Sequence, residues 1–329
     1  MAFPVQRQAW KPLTAGGKGK ALLLVHGIGN SKPGDYDFLL PKLQAALGPD
    51  YGNSVVYSLY YDVLNDWVKD KIQAEAAAAK MAGVLGPKFG GALGTALGEY
   101  VGDVLWPILS ASARQAIQSA YLKQLQAMVL DGIAAGFPPE DQNLSILCHS
   151  LGCFHTYEVL HACLNDPSQK LHPAKNGVRF SNVVFMASPA QLIRSVAASI
   201  SALVPKGLAV LNPQGLRCPI GVSASGRRIP SVKRWVSITG SLDPVGGHLL
   251  GKKLDWAYMT VPADPPFAGQ TSLIDSQTWI QASNEAEFKI VLSEALTARK
   301  LGPIPIRDPH SWGEYISGHA QDLHQWLTA

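Results

Sequence analysis

The stretch "SILCHSLGCFH", residues 145 to 155, decides the fold prediction for this chain. Its first part is an apolar run typical of a buried strand, and a helical pattern begins at Cys153. Ser150 therefore lies at the apex of a predicted strand–turn–helix. A serine at such an apex has a strained backbone, which costs about 1 to 3 kcal/mol, and its hydroxyl points into open space at the start of the helix. The pattern predicts a nucleophilic serine, although serine and glycine are also ordinary turn residues.

Small residues two positions to either side of Ser150 allow the strand and the helix to approach each other. Gly152 fills this position on the helix side, and Cys148 fills it on the strand side. Neither Cys148 nor Cys153 stands at the apex. We therefore expect the hydroxyl of Ser150, and no thiol, to be the nucleophile.

Four further segments are short, apolar or β-branched, as expected of strands buried in a sheet. They are residues 20–27, 54–64, 181–189 and 232–240. Helical patterns lie between them, for example over residues 35–47. Strands that alternate with helices predict an α/β fold with a mainly parallel, doubly wound sheet and helices on both faces.

Residues 65–142 separate two predicted strands by far more than one crossover helix requires. The segment is rich in alanine, glycine and leucine, and it contains five glycines at a spacing of four from Gly86 to Gly102. We interpret it as a helical cap or lid inserted into a catalytic core formed by residues 1–64 and 143–329. A mobile cap over the site and a rigid structural insertion both remain open.

The composition is that of a well-packed enzyme. Of the 329 residues, 47% are hydrophobic and 16% are charged, and the net charge of +4 is too small and scattered to favour nucleic acid. Four dispersed cysteines do not indicate a disulfide scaffold, and no metal or redox-cofactor motif is present, so no cofactor is expected. The chain begins without a secretory signal and contains no predicted transmembrane segment, which together favour a cytoplasmic protein.

The second stretch that could take part in catalysis is "LLLVHGIGNS", residues 22 to 31. Acyl transfer generates an oxyanion that backbone N–H groups can stabilise. The turn after the strand offers the N–H of Ile28, and the start of the helix offers the N–H of Leu151. Taken alone, the turn is explained more simply as the glycine-rich end of a strand. His26 and His149 lie beside these two turns and are candidates for the pocket wall.

A nucleophilic serine needs a base and an orienting carboxylate. Asp243 follows the predicted strand 232–240, at the edge where parallel sheets collect their sites, although an Asp-Pro turn would explain it as well. His310 follows a proline-rich loop and precedes one predicted closing helix that starts at Trp312. His310 is therefore the first candidate for the base, and His319, within that helix, is the alternative.

The motifs "HGIGN", "CHSLG", "SLDPV" and "HSWGEY" occur in an order that resembles the α/β-hydrolase superfamily, in its lipase and esterase-like branch. The resemblance spans essentially the whole chain. It implies a triad of Ser150, Asp243 and His310, and it implies Ile28 and Leu151 as oxyanion donors. Cys148 stands where the G-x-S-x-G motif has its first glycine, and the spacing from His310 to the following tyrosine is wider than in many members.

The resemblance implies a serine hydrolase that cleaves carboxylic esters through an acyl-enzyme intermediate. The apolar cap favours a small-molecule or lipid-like ester with a hydrophobic acyl or alcohol group, and it leaves peripheral membrane contact open. A thioesterase, an amidase or an acyltransferase would use the same residues. A non-catalytic binding module with a hydrolase-like fold is the alternative from another class.

Overall fold

The computed structural model describes twelve parts of the chain, and every structural statement below concerns these residues. They are residues 5–11, 19–27, 34, 36–61, 110–165, 171, 178–189, 221–222, 228–229, 232–238, 312–318 and 320–328.

A five-stranded sheet forms the centre of the described fold, and each pair of neighbouring strands in it is parallel. Its strands are β1 (Gly19–Val25), β2 (Ser54–Leu59), β3 (Gln142–His149), β4 (Phe180–Met186) and β7 (Val232–Ile238), in the order β2-β1-β3-β4-β7. A short antiparallel pair, β5 (Gly221–Val222) and β6 (Arg228–Ile229), lies between β4 and β7 in the chain. The predicted α/β class with a parallel sheet is confirmed.

Helices cover both faces of this sheet. One face packs against α2 (Ala111–Ala134) and α3 (Leu151–Asn165). The other face packs against α1 (Leu39–Leu47), α4 (Trp312–Gly318) and α5 (Ala320–Thr328). Two 3-10 helices, Gly48–Asn53 and Pro139–Asp141, precede β2 and β3. The single closing helix predicted from Trp312 corresponds to α4 and α5, which lie on either side of His319.

Strand β1 shows why its sequence is apolar without alternation. Leu23 and Val25 belong to the core on the α2 and α3 side, whereas Leu22 and Leu24 belong to the core on the α1 side. A parallel strand that is buried on both faces needs apolar residues at successive positions. The continuous run "ALLLV" therefore places β1 in the interior of the sheet, between β2 and β3.

Helix α2 lies inside the segment 65–142 that the sequence assigned to a cap. Its apolar side chains Tyr121, Leu125 and Met128 are buried in the same core cluster as the strands. Residues 111–134 therefore form a core helix of the α/β layer, and the predicted end of the insertion at residue 142 lies too far along the chain. An alanine-rich helix has the same sequence pattern in a cap and against a sheet, which explains the difference. The cap prediction for residues 65–109 lies outside the described residues.

Local signals set both ends of α2. The hydroxyl of Ser110 accepts a hydrogen bond from the N–H of Ala113 at 3.0 Å, which satisfies one of the free donors of the first turn. At the other end Gly136 has φ +92°, a conformation that favours glycine. The N–H of Phe137 then donates to the carbonyl of Gly132 at 2.9 Å and closes the helix.

A polar cluster that is buried at Trp10, Tyr57 and Asp131 attaches the N-terminal residues to α2 and β2, and we call it the Asp131 network. Its members are Arg7, Gln8, Trp10, Tyr57 and Asp131. The Asp131 carboxylate accepts hydrogen bonds from Arg7 Nε at 2.6 Å, from Gln8 N at 2.9 Å and from the Tyr57 hydroxyl at 2.9 Å. The Tyr57 hydroxyl in turn accepts from Trp10 Nε1 at 2.8 Å. Because each buried group has a partner, the network stabilises the fold.

The strand order identifies the edge where a ligand site is expected. Chain order reverses between β1 and β3, since the connection from β1 leads to β2 on one side and the later strands lie on the other. Open parallel sheets bind their ligands outside the carboxyl ends of the strands at this reversal point. Here those carboxyl ends lead into His26 and Gly27 after β1 and into Ser150 after β3.

Candidate functional site

Ser150 occupies a sharp turn between the end of β3 and the start of α3. Its φ is +51°, a left-handed conformation that residues with a side chain seldom adopt and that costs roughly 1 to 3 kcal/mol. Its N–H donates to the carbonyl of Met186 at 2.9 Å, and its carbonyl accepts from the N–H of Cys153 at 2.9 Å. Hydrogen bonds on both sides thus hold the strained residue in place.

Two glycines allow the backbone of β1 to lie directly against this turn. A Cβ atom on Gly152 would lie 2.1 Å from the carbonyl oxygen of His26 and 2.6 Å from that of Val25. A Cβ atom on Gly27 would lie 2.6 Å from Cβ of Ser150 and 3.0 Å from its Oγ. Any side chain at either position would force the two elements apart. Gly152 is thus the small residue on the helix side, as predicted, although the strand that it meets is β1 and not β3, the strand before Ser150.

The first turn of α3 directs backbone N–H groups toward the site. Leu151 is the first residue of this helix, so its N–H lacks a carbonyl partner one turn earlier. The aligned peptide dipoles add a partial positive charge at the same end of the helix. An anion that forms at the Ser150 hydroxyl would therefore meet a favourable electrostatic environment.

Aromatic rings surround the ends of β1 and β3. The His26 ring stacks on Tyr61 at a centroid distance of 4.4 Å and on Tyr36 at 5.0 Å. The His149 ring stacks on Trp312 at 5.5 Å, and Trp312 meets Tyr36 edge-on at 5.6 Å. A continuous series of rings thus runs from His149 to Tyr61 and gives this edge of the sheet an apolar wall with polar ring atoms.

The hydroxyl of Tyr61 contacts the turn that follows β1. It lies 2.6 Å from the carbonyl oxygen of Gly27 and 3.0 Å from that of His26. Tyr61 is the second residue after β2, and its ring is buried. Strand β2 therefore ends earlier than the predicted residue 64, because the chain after Leu59 turns this phenol toward β1.

Two buried ring nitrogens lie near this turn and have no hydrogen-bond partner within the described parts of the chain. They are Nε2 of His155 and Nε1 of Trp312. Burial, together with smaller contributions from the nearby His26 and Arg114, lowers the pKa of His155 to about 3. His155 is therefore neutral at physiological pH. A buried polar atom without a partner is costly, and such costs concentrate at functional sites.

The cysteines near Ser150 are buried thiols. Cys148 donates to the carbonyl of Val184 at 3.3 Å, and Cys153 donates to that of Met186 at 3.4 Å. Burial raises the pKa of Cys148, and the neighbouring Cys153 adds to this shift. Burial also raises the pKa of Cys163 to about 12. Because a thiolate is the reactive form, Cys148 and Cys163 are poor nucleophiles in the folded protein.

Within the parts of the chain that the structure covers, no group of three or more His, Cys, Asp or Glu side chains could hold a metal ion. None of the described helices combines the length and the apolar character that a membrane crossing requires.

The structure brings together four of the predicted site residues, and four lie outside the described residues. Ser150, Leu151, His26 and His149 all lie at the carboxyl ends of β1 and β3. The residues that are not described are Ile28, Asp243, His310 and His319. The first four form the described part of the site.

Sequence reasoning missed Tyr36, Tyr61, His155 and Trp312 as site residues. One signal was available for Tyr61, because it closely follows a predicted strand that neighbours β1. Trp312 stands two residues after the predicted base in "HSWGEY". Tyr36 and His155 carry no comparable signal, since their contacts with His26, Tyr61 and Trp312 arise only from tertiary packing.

No protein-family model and no curated protein matches this sequence. A crystal structure of an uncharacterized protein from Pseudomonas aeruginosa is similar, with 13% sequence identity and a TM-score of 0.29. The match covers 67% of this chain and only 35% of that chain.

Proposed function

We propose that this protein is a serine hydrolase that cleaves carboxylic esters, with Ser150 as the nucleophile and an α/β-hydrolase fold. The observation that carries the proposal is the left-handed Ser150, with φ +51°, at a strand–turn–helix on the carboxyl edge of the sheet. Strain of this kind persists only where the surrounding structure enforces it, and a nucleophile elbow is a known use of it. The contacts of Gly27 and Gly152 supply that enforcement here.

The proposed reaction begins when the Ser150 hydroxyl attacks the ester carbonyl and transfers its proton to a histidine base. The N–H of Leu151, at the start of α3, and the N–H of Ile28 would stabilise the resulting oxyanion. The collapsing intermediate would release the alcohol, and water activated by the same base would hydrolyse the acyl-enzyme. The assignment of His310 as this base and of Asp243 as its orienting carboxylate rests on the sequence resemblance alone.

The side chains around Ser150 favour a substrate with an apolar part. Tyr36, Tyr61 and Trp312 are aromatic and lie around the ends of β1 and β3. Apolar pockets with a few polar groups are typical of sites for small molecules. The same machinery would serve a thioester or an amide, so the choice among these substrates is part of the test.

The test measures hydrolysis of p-nitrophenyl esters of increasing acyl length, together with a thioester and an anilide of one matched acyl group. We expect ester turnover that falls at least about 1,000-fold in Ser150→Ala, since removal of a nucleophile leaves only residual catalysis. Ser145→Ala is the matched control, because Ser145 is buried in β3, the strand that leads to Ser150, but lies away from its carboxyl end. Equal turnover by native protein and Ser150→Ala would contradict the proposal.

The base is tested separately with His310→Ala and His319→Ala. We expect only His310→Ala to lose turnover, with circular dichroism spectra showing that both variants are folded. If only His319→Ala lost turnover, His319 would be the base. Retained turnover in both variants would contradict the triad while leaving the Ser150 assignment to its own test.

A further inference from the structure

The hydroxyl of Tyr61 is placed to hold the backbone of the turn after β1 in one orientation. The phenol of Tyr61 has one proton and lies within hydrogen-bond distance of two successive carbonyl oxygens, at 2.6 Å for Gly27 and 3.0 Å for His26. Its ring is held by the parallel His26 ring, with 7° between the planes. The hydroxyl therefore has little freedom to move away from these two carbonyls.

Gly27 lies directly against the serine. A Cβ on Gly27 would lie only 3.0 Å from Oγ of Ser150. A contact that fixes the direction of the Gly27 carbonyl therefore fixes backbone that lies beside the reacting oxygen. Without that contact the peptide could flip and present its oxygen atom to the site, where it would repel an oxyanion.

We propose that Tyr61 is a positioning residue of the site, and that its hydroxyl holds the Gly27 carbonyl so that the carbonyl oxygen stays turned away from an oxyanion at Ser150. The inference rests on the proposed function for its catalytic consequence. Tyr61 acts through the Gly27 carbonyl and not by contact with a reacting atom.

The test compares Tyr61→Phe with Tyr121→Phe. Tyr61→Phe keeps the ring that stacks on His26 and removes only the hydroxyl. Tyr121 is an equally buried tyrosine whose hydroxyl bonds Thr156 at 3.0 Å in the core, so its replacement also removes one buried hydrogen bond. We expect kcat to fall about 10- to 100-fold in Tyr61→Phe with KM within twofold, because a carbonyl oxygen that can turn toward Ser150 weakens binding of the transition state alone. Tyr121→Phe should retain kcat within twofold.

Rescue separates positioning from a structural role. Replacement of Tyr61 by p-aminophenylalanine restores an N–H donor at the same place and should recover most of the lost kcat. Native kcat in Tyr61→Phe, or equal losses of kcat in Tyr61→Phe and Tyr121→Phe, would overturn the proposal. If Tyr61→Phe fails to fold, a folded p-aminophenylalanine variant with kcat near native supports it, and one with kcat reduced 10-fold or more overturns it.

Amide hydrogen exchange distinguishes failure of this inference from failure of the proposed function. We expect peptides that contain residues 26–30 to exchange faster in Tyr61→Phe than in Tyr121→Phe. If the native protein shows no Ser150-dependent turnover, the proposed function fails. Faster exchange would then retain Tyr61 as the residue that orders the turn, whereas unchanged exchange would overturn that role too.

Discussion

The Ser150 turn and the Asp131 network are both buried and polar, yet they differ in how completely their polar groups are satisfied. In the Asp131 network the carboxylate, the Tyr57 hydroxyl and the Trp10 N–H all have short hydrogen bonds. Around the Ser150 turn the backbone is strained, and the ring nitrogens of His155 and Trp312 find no hydrogen-bond partner among the described residues. Satisfied networks contribute stability, whereas strain and unpaired groups lower it and concentrate where function requires them.

This difference predicts that the two regions respond differently to substitution. Changes in the Asp131 network should reduce the free energy of unfolding and leave the reactivity of Ser150 intact. Changes at the Ser150 turn should alter that reactivity, and some should also change the free energy of unfolding, because the backbone there is strained.

The largest expected effect is that of Gly152→Ala. The new Cβ would meet two backbone carbonyl oxygens, at 2.1 Å and 2.6 Å, which cannot rotate away as a side chain could. We expect a loss of at least about 3 kcal/mol in the free energy of unfolding, together with loss of fluorophosphonate labelling at Ser150. Urea denaturation and labelling measure these two quantities.

The control for that substitution is Gly52→Ala. A Cβ on Gly52 would have no atom within 4 Å, so the change should leave both stability and labelling near native. A Gly152→Ala protein of native stability would show that α3 does not pack against the end of β1 as described.

Tyr57→Phe should break the Asp131 network without changing the Ser150 turn. The hydroxyl accepts from Trp10 and donates to Asp131, so its removal leaves a buried N–H without an acceptor and a carboxylate with one donor fewer. We expect a loss of about 2 to 3 kcal/mol in the free energy of unfolding and a labelling rate within twofold of native. Tyr51→Phe, at a partly exposed position, is the control and should change neither. Loss of labelling in a folded Tyr57→Phe would contradict the separation of the two regions.

The buried His155 near the turn predicts a pH dependence of stability. Its pKa is about 3 in the folded protein and about 6.5 when unfolded. Between these values the unfolded chain binds a proton that the folded protein does not, so stability falls as the pH drops from about 6.5 toward 3. Native protein should lose about 2 kcal/mol more than His155→Phe between pH 7 and pH 5.

Denaturant titration at the two pH values measures this difference. Identical pH dependence in native protein and His155→Phe would show that His155 is not buried in its neutral form.

The sequence predicted the sheet well because parallel strands buried on both faces have few alternatives. Strands β1, β2, β4 and β7 start within one residue of their predicted starts, and Ser150 lies at the predicted turn. Helix α2 was assigned to a cap, because its alanine-rich pattern does not show which surface it covers. The carboxyl end of β2 was also misplaced, since aromatic residues continue through Tyr61 while the backbone leaves the sheet to bring that phenol to β1.

Only the parts of the site that are formed by residues close together in the sequence could be predicted. A serine between a strand and a glycine-containing helix start is a local pattern, and so is the glycine turn after β1. The aromatic wall is not local, because Tyr36, Tyr61 and Trp312 come from three distant parts of the chain and meet only through packing. Single-sequence reasoning has no signal for such contacts.

The smallest expected effect tests which atom at the turn is the nucleophile. Cys148 is buried beside the strand end and its thiol has a raised pKa, so it should contribute packing and no reactivity. We expect Cys148→Ala to lose about 1 kcal/mol in the free energy of unfolding and to keep native labelling by a fluorophosphonate. Loss of labelling in a folded Cys148→Ala would give the thiol a chemical role. Because Ser150 and Cys148 stand only two residues apart, Ser150→Ala and Cys148→Ala together assign the reactivity of this turn to the hydroxyl or to the thiol.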